Sequence, residues 1–181
     1  MTVPARHNDR PGLAHGFTLV ELLIVVFVVC TVAALAVPLI LRARMAANES
    51  SAIGSVRAIN SGQAGYSGSA AQGAYASQLA VLSQPCPGGS LGFISPDLAQ
   101  DPSTRSGFVV TLSAGAAQPG PPDCNGSATR QGYYVTAEPV AVGLTGHRAF
   151  ASTSRGAIFV DPAGAAPTEA AILAGTATAL Q

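Results

Sequence analysis

The 181-residue chain has room for one domain and a long helix. Only 10% of its residues are charged and the formal net charge is zero. With no Arg cluster beyond Arg42 and Arg44, it lacks the basic patch of a protein that binds nucleic acid by neutralising phosphates. Lys is absent, which excludes a Gly-rich phosphate loop completed by lysine and places any ATP turnover in a partner.

Residues 1–16 form a short polar leader with Arg6, His7, Asp9, Arg10 and His15. Its slight positive excess favours the cytoplasmic side, although Arg42 and Arg44 at the far end of the following run blunt the asymmetry. Then comes Gly16-Phe17-Thr18-Leu19-Val20-Glu21, opening an apolar run through Leu41 in which Thr31 is the one non-apolar side chain after Glu21. Such a run is long enough to cross a hydrocarbon layer as a helix. Glu21 does not suit a plain anchor, because a carboxylate in lipid is costly and needs a partner. Cleavage after Gly16 makes one: an ammonium on Phe17, able to pair with Glu21 in its own first helical turns or, more usefully, in a neighbouring copy, where the pair sets the stagger of packed helices.

These residues resemble the cleavage and methylation signal of type IV pilins and the pseudopilins of type II secretion. The resemblance implies that Gly16 precedes the prepilin peptidase cut, that Phe17 becomes the N-methylated first residue, and that Glu21 is the glutamate needed for assembly. It also matches Pro38 to a proline that many short-leader pilins carry. Leader inside and globular domain outside follow from the same likeness, as do the partners. These are further copies of the chain, a peptidase and methyltransferase, an inner-membrane platform with an assembly ATPase, and minor pilins.

Three plainer readings compete. A signal peptide cut at Ala34-Leu35-Ala36 discards the whole Gly16–Glu21 pattern, and its apolar core begins beside an acid. A lipoprotein site at Cys30 is preceded by Val28 and Val29 where small residues belong. An uncut single-pass anchor leaves Glu21 unexplained.

Beyond Leu41 the helix is expected to continue as an amphipathic half over residues 42–64, roughly 70 Å from Phe17 to Gln63 at 1.5 Å per residue. Met45, Glu49, Ala52, Val56 and Ile59, with Ile53 beside them, make an apolar stripe interrupted by one acid, while Ser55 and Gln63 fall among the polar surroundings. Pro38 removes one ladder hydrogen bond and marks a weak point. Gly62, Gly65, Gly68 and Gly73 predict an end between Ser61 and Tyr66.

A globular region over 65–161 follows. Tyr75–Gln84 reads as a short helix with Leu79 and Leu82 inward, ended by Pro85. Phe108–Leu112, Tyr133–Thr136, Ala149–Ser152 and Ala157–Val160 are strand candidates, and sequential short strands with local loops favour an antiparallel meander. The expected fold is α+β, one long N-terminal helix packed on a small antiparallel sheet, as pilins have. The tail 162–181 is Ala-rich, and Ala170–Leu173 suits a helical turn or an edge strand.

Cys86 and Cys124 lie in Pro/Gly-rich loops, and in an exported domain a disulfide between them is the simplest reading. Many pilins close their bridge nearer the chain end, so this position departs from the pattern. Cys30 is expected to be a small buried side chain. His147 is expected at the surface, since one histidine builds neither a catalytic nor a zinc site. Asp97, Asp101 and Asp161 are oxygen donors of the type Ca²⁺ takes, and pseudopilins often hold such an ion, but they lack calcium-loop spacing and read as turn caps. No cofactor and no metal are expected, and the chain is read as a substrate of processing enzymes rather than as an enzyme. The function expected is that of a type IV pilus subunit for adhesion or motility. The alternatives are a type II secretion pseudopilin and, in another class, a membrane-anchored extracytoplasmic binding domain.

Overall fold

The computed structural model describes residues 16–180; the leader expected over 1–16 therefore lies outside the described residues except for Gly16. The chain divides between Ile40 and Leu41 into two compact units. Helix α1, Leu19–Ser69, contributes to both.

In the first unit the helix is apolar on every side. The side chains from Phe17 to Ile40 are exposed, Ala36 alone being partly covered. Thr31 is silenced locally, its hydroxyl donating to the Val28 carbonyl at 2.8 Å, so the one polar side chain after Glu21 brings no unmet hydrogen bond into the run. Cys30 is exposed like its neighbours rather than buried, because among the described residues of this unit no second layer covers it. The helix continues through Pro38.

In the second unit Glu49, Ala52, Val56, Ile59, Gly62 and Tyr66 of α1 are buried at spacings of three and four, and Ser55 and Gln63 are buried with them, contrary to the polar placing expected of both. Gln63 is admitted because its side chain imitates a strand. Its Nε2 donates to the Ala76 carbonyl at 2.7 Å and its Oε1 accepts the Ala76 N–H at 3.0 Å. That clamp holds Tyr75–Ala76 extended as β1, so the short helix expected from Tyr75 shrinks to α2, Leu79–Leu82. The helix end also moves. α1 runs to Ser69 rather than stopping by Tyr66, because tertiary contacts outweigh the weak helix propensity of glycine. At Gly62 a Cβ would lie 2.6 Å from Ile94 Cγ2 and 2.7 Å from the Phe93 carbonyl oxygen, so only glycine lets that segment approach. Tyr66, one turn on, packs edge-on against Phe93 with ring centroids 5.3 Å apart.

The remaining strands are β2 (Ser103–Arg105), β3 (Phe108–Ser113), β4 (Thr129–Arg130), β5 (Tyr134–Pro139), β6 (Ala149–Thr153), β7 (Ile158–Asp161) and β8 (Thr178–Ala179). β2, β3, β5, β6, β7 and β8 pair in that order, every pair antiparallel, and β1 pairs separately with β4. The four expected strands are β3, β5, β6 and β7, with ends shifted by at most one residue except that β5 runs three residues further, to Pro139. Phe108, Val110 and Leu112 of β3 and Val135 and Ala137 of β5 face the core with the stripe of α1. The result is an α+β arrangement of one long helix packed on antiparallel sheet. The Ala-rich tail joins it: Thr168 caps α3 (Glu169–Leu173) by accepting the Ala171 N–H at 3.2 Å, and β8 then forms the sheet edge against β7.

Candidate processing and assembly site

Gly16 and Phe17 precede α1 in non-helical conformation, and both are exposed. A peptide bond between two uncovered residues outside the helix is accessible to a protease. Thr18 is the N-cap: its carbonyl accepts the Leu22 N–H at 3.2 Å and its hydroxyl oxygen accepts the Glu21 N–H at 3.1 Å. Thr18 and Glu21 thus occupy the N-cap and N3 positions of a Thr-x-x-Glu sequence, a helix-start signal that was readable before the structure but hidden by the apolar run. The cap places the Glu21 carboxylate in the first helical turn, where the helix dipole favours negative charge. Among the described residues, no cation lies within salt-bridge distance of it.

Residues 13–37 match the prokaryotic N-terminal methylation motif. The chain carries the processing signal of type IV pilins and pseudopilins. Comparison with curated proteins and with solved structures returned no match. The motif spans the exposed helix start and most of the apolar run, and it implies prepilin peptidase processing and a pilus-type assembly machinery.

The second half of α1 is locked by side-chain hydrogen bonds along its length. Near its start, Asn48 Nδ2 donates to the Thr145 carbonyl at 2.9 Å, and the Glu49 carboxylate receives the backbone N–H of His147 at 2.8 Å and of Arg148 at 3.1 Å. Burial pushes the Glu49 carboxyl up, but those two N–H groups and the Arg148 guanidinium outweigh it and hold the group below the usual carboxylate range. In the middle, Asn60 donates to Ser152 Oγ at 2.9 Å and accepts from the Tyr133 hydroxyl at 3.0 Å. Burial, with Tyr75 nearby, pushes the Tyr133 phenol up to about 12. At the far end the Tyr66 hydroxyl donates to Asp123 Oδ2 at 2.7 Å. Asp123 Oδ1 in turn accepts the N–H groups of Asn125 and Ser127 at 2.9 and 2.6 Å. Next to it, Cys86 and Cys124 form the expected disulfide, with Cα atoms 5.5 Å apart.

The candidate metal donors do not converge. Asp97 pairs with Arg105, Asp101 accepts the N–H of Leu79 at 3.2 Å and of Leu112 at 3.4 Å, and Asp161 closes a turn on the Ala163 N–H at 2.7 Å. Among the described residues, no three His, Cys, Asp or Glu side chains gather into a metal-binding group. His147 is exposed. A cleft of about 210 Å³ beside α3 is lined by Tyr133, Arg155 and Glu169. The Tyr133 hydroxyl donates to Asn60 Oδ1, and Glu169 Oε2 accepts the Ala116 N–H at 2.8 Å.

Proposed function

We propose that the chain is a body subunit of a type IV pilus, used in adhesion or motility. It enters the inner membrane as a single-pass precursor with its leader in the cytoplasm, is cut after Gly16 and is N-methylated at Phe17. The assembly platform and its ATPase then draw it into a helical polymer of identical copies and minor pilins. The observation that carries this reading is the methylation motif on a helix whose apolar side chains are uncovered all round from Phe17 to Leu41. A helix that is hydrophobic on every face needs complete burial, first in lipid and then among other helices. Glu21, capped into the first turn, receives the Phe17 ammonium of a neighbour, which relieves its isolation and sets the stagger. Pro38, which leaves the Ala34 carbonyl without its ladder partner, is the point at which α1 yields during packing.

The N-terminal residue and intact mass of the protein recovered from membranes test the processing step. N-methyl-phenylalanine at Phe17 is expected, and an intact Met1 or a start at Val37 removes Glu21 from the mechanism. Glu21→Ala tests assembly: protein accumulates in the membrane without filaments, whereas normal surface filaments sink the proposed pairing. A secretion defect without long surface fibres on deletion of the chain transfers the same assembly chemistry to a secretion pseudopilus.

A further inference from the structure

The cleft of about 210 Å³ beside α3 is lined by the end of β6, the turn that follows it, the approach to β5 and the loop after β3. Thr153 of β6 is part of that lining and is only 3% exposed, yet its hydroxyl finds no hydrogen-bond partner. It is the one buried side-chain polar atom left in that state among the described residues. Native folds pair such groups, so an unpaired one marks a place where a partner is missing. Gly132 lines the same cleft, and a Cβ there would lie 3.2 Å from Ala117 Cβ and 3.4 Å from Ser154 Oγ, both on residues of the lining. A larger side chain would therefore fill space that glycine leaves open.

Two opposite charges belong to this lining without meeting. Arg155 is exposed in the turn after β6 and has no acid at ion-pair distance; among the described residues the ion pairs are Arg105 with Asp97 and Arg148 with Glu49. Glu169 of α3 is fixed in place, because its Oε2 accepts the Ala116 N–H at 2.8 Å and its carboxylate occupies the position a Cβ on Gly115 would take. A guanidinium and a carboxylate that share a cleft but not a salt bridge are complemented by a ligand carrying both charges in reverse. Size narrows the choice. A cavity of about 150 Å³ admits benzene, so this one suits a ligand of about six to nine heavy atoms. Ala116, Ala117 and Leu173 add aliphatic surface.

We propose that the cleft binds a small aliphatic α-amino acid as its zwitterion. The ligand carboxylate sits on the Arg155 guanidinium and gives the Thr153 hydroxyl its acceptor, the ammonium meets Glu169, and the side chain lies on Leu173. The cleft lies wholly within the second unit, so this site stands or falls independently of the processing and assembly reading.

Saturation-transfer NMR on the full chain in deuterated detergent micelles, with L-valine as the probe, tests the site. Saturable transfer to the valine methyls is expected with a Kd on the order of 1 mM, the weak range that suits so few atoms. Isovalerate, which lacks the ammonium, and isobutylamine, which lacks the carboxylate, are each expected to bind about tenfold more weakly or worse. Arg155→Gln, in an exposed turn, is expected to weaken valine about tenfold and leave the melting temperature unchanged. Thr153→Val keeps the shape and removes the unpaired hydroxyl, so it is expected to melt no lower than the parent and still to bind valine roughly threefold to tenfold more weakly. Absence of saturable transfer to valine overturns the proposal, as does equal binding of isovalerate or isobutylamine. Full valine affinity in either variant overturns it too.

Discussion

Glu49 and Arg148 stand 99 residues apart in sequence and share one carboxylate oxygen: Arg148 Nε and Nη2 each lie 2.8 Å from Glu49 Oε2. The other oxygen is occupied by the N–H groups of His147 and Arg148. The single acid in the apolar stripe of α1 is therefore a fully bonded tether to the start of β6.

Removing its charge weakens the fold. Glu49→Gln is expected to cost about 2 kcal/mol, the range for hydrogen bonds to a charged group discounted because the Arg148 side chain is 45% exposed. Urea unfolding of the full chain in detergent micelles at neutral pH measures it. The loss also has a pH signature. The carboxyl is held below its ordinary value of 4.5, so on acidification the unfolded chain takes up the proton first. The Glu49 contribution is complete above that value and is lost as pH falls through the lower folded one. Glu49→Gln lacks this part of the acid sensitivity, and a variant whose stability falls as steeply as the parent's contradicts the tether.

Two glycines of α1 are expected to respond to alanine with opposite signs. At Gly54 an added Cβ meets nothing within 4 Å, so Gly54→Ala stabilises by about 0.5–1 kcal/mol through helix propensity. At Gly62 the same Cβ would lie 2.7 Å from a backbone carbonyl oxygen that no rotamer change can move. Gly62→Ala is expected to destabilise by about 1–3 kcal/mol despite the same propensity gain. Thermal melts of the two variants decide it, and equal signs refute the close approach of the Phe93–Ile94 segment.

The Cys86–Cys124 bridge closes a loop of 38 residues, for which chain entropy gives a contribution of about 4 kcal/mol, with 2–4 typical. Replacing both cysteines by serine is expected to lower the unfolding free energy by that amount, read from urea denaturation as a fall in midpoint multiplied by the slope. Reductant should lower the midpoint of the parent protein alike and leave the double variant unmoved. A smaller loss is expected only to the extent that other ties hold the reduced loops, namely the Cys124 N–H on the Ala70 carbonyl at 2.8 Å and Asn125 Nδ2 on the Pro85 carbonyl at 3.2 Å.

Local pattern was enough for everything set by periodicity or by a short motif. The apolar run after Glu21, the Gly16–Glu21 signal, the stripe Glu49, Ala52, Val56, Ile59, the strands β3, β5, β6 and β7 and the cysteine pair all stand in the sequence because each depends on neighbours a few residues away or on a residue count. Tertiary structure alone decided the rest. Gln63 reaches 13 residues to Ala76, Tyr66 reaches 57 to Asp123 and Glu49 nearly a hundred to Arg148. Those partners are what carried α1 past Gly62, Gly65 and Gly68 to Ser69, turned Tyr75–Ala76 from helix to strand, and made buried anchors of residues that read as polar surface or as a flaw in a stripe. A buried polar group must find its partner somewhere, and the free energy of finding it across the fold exceeds the fraction of a kcal/mol per residue by which propensity speaks.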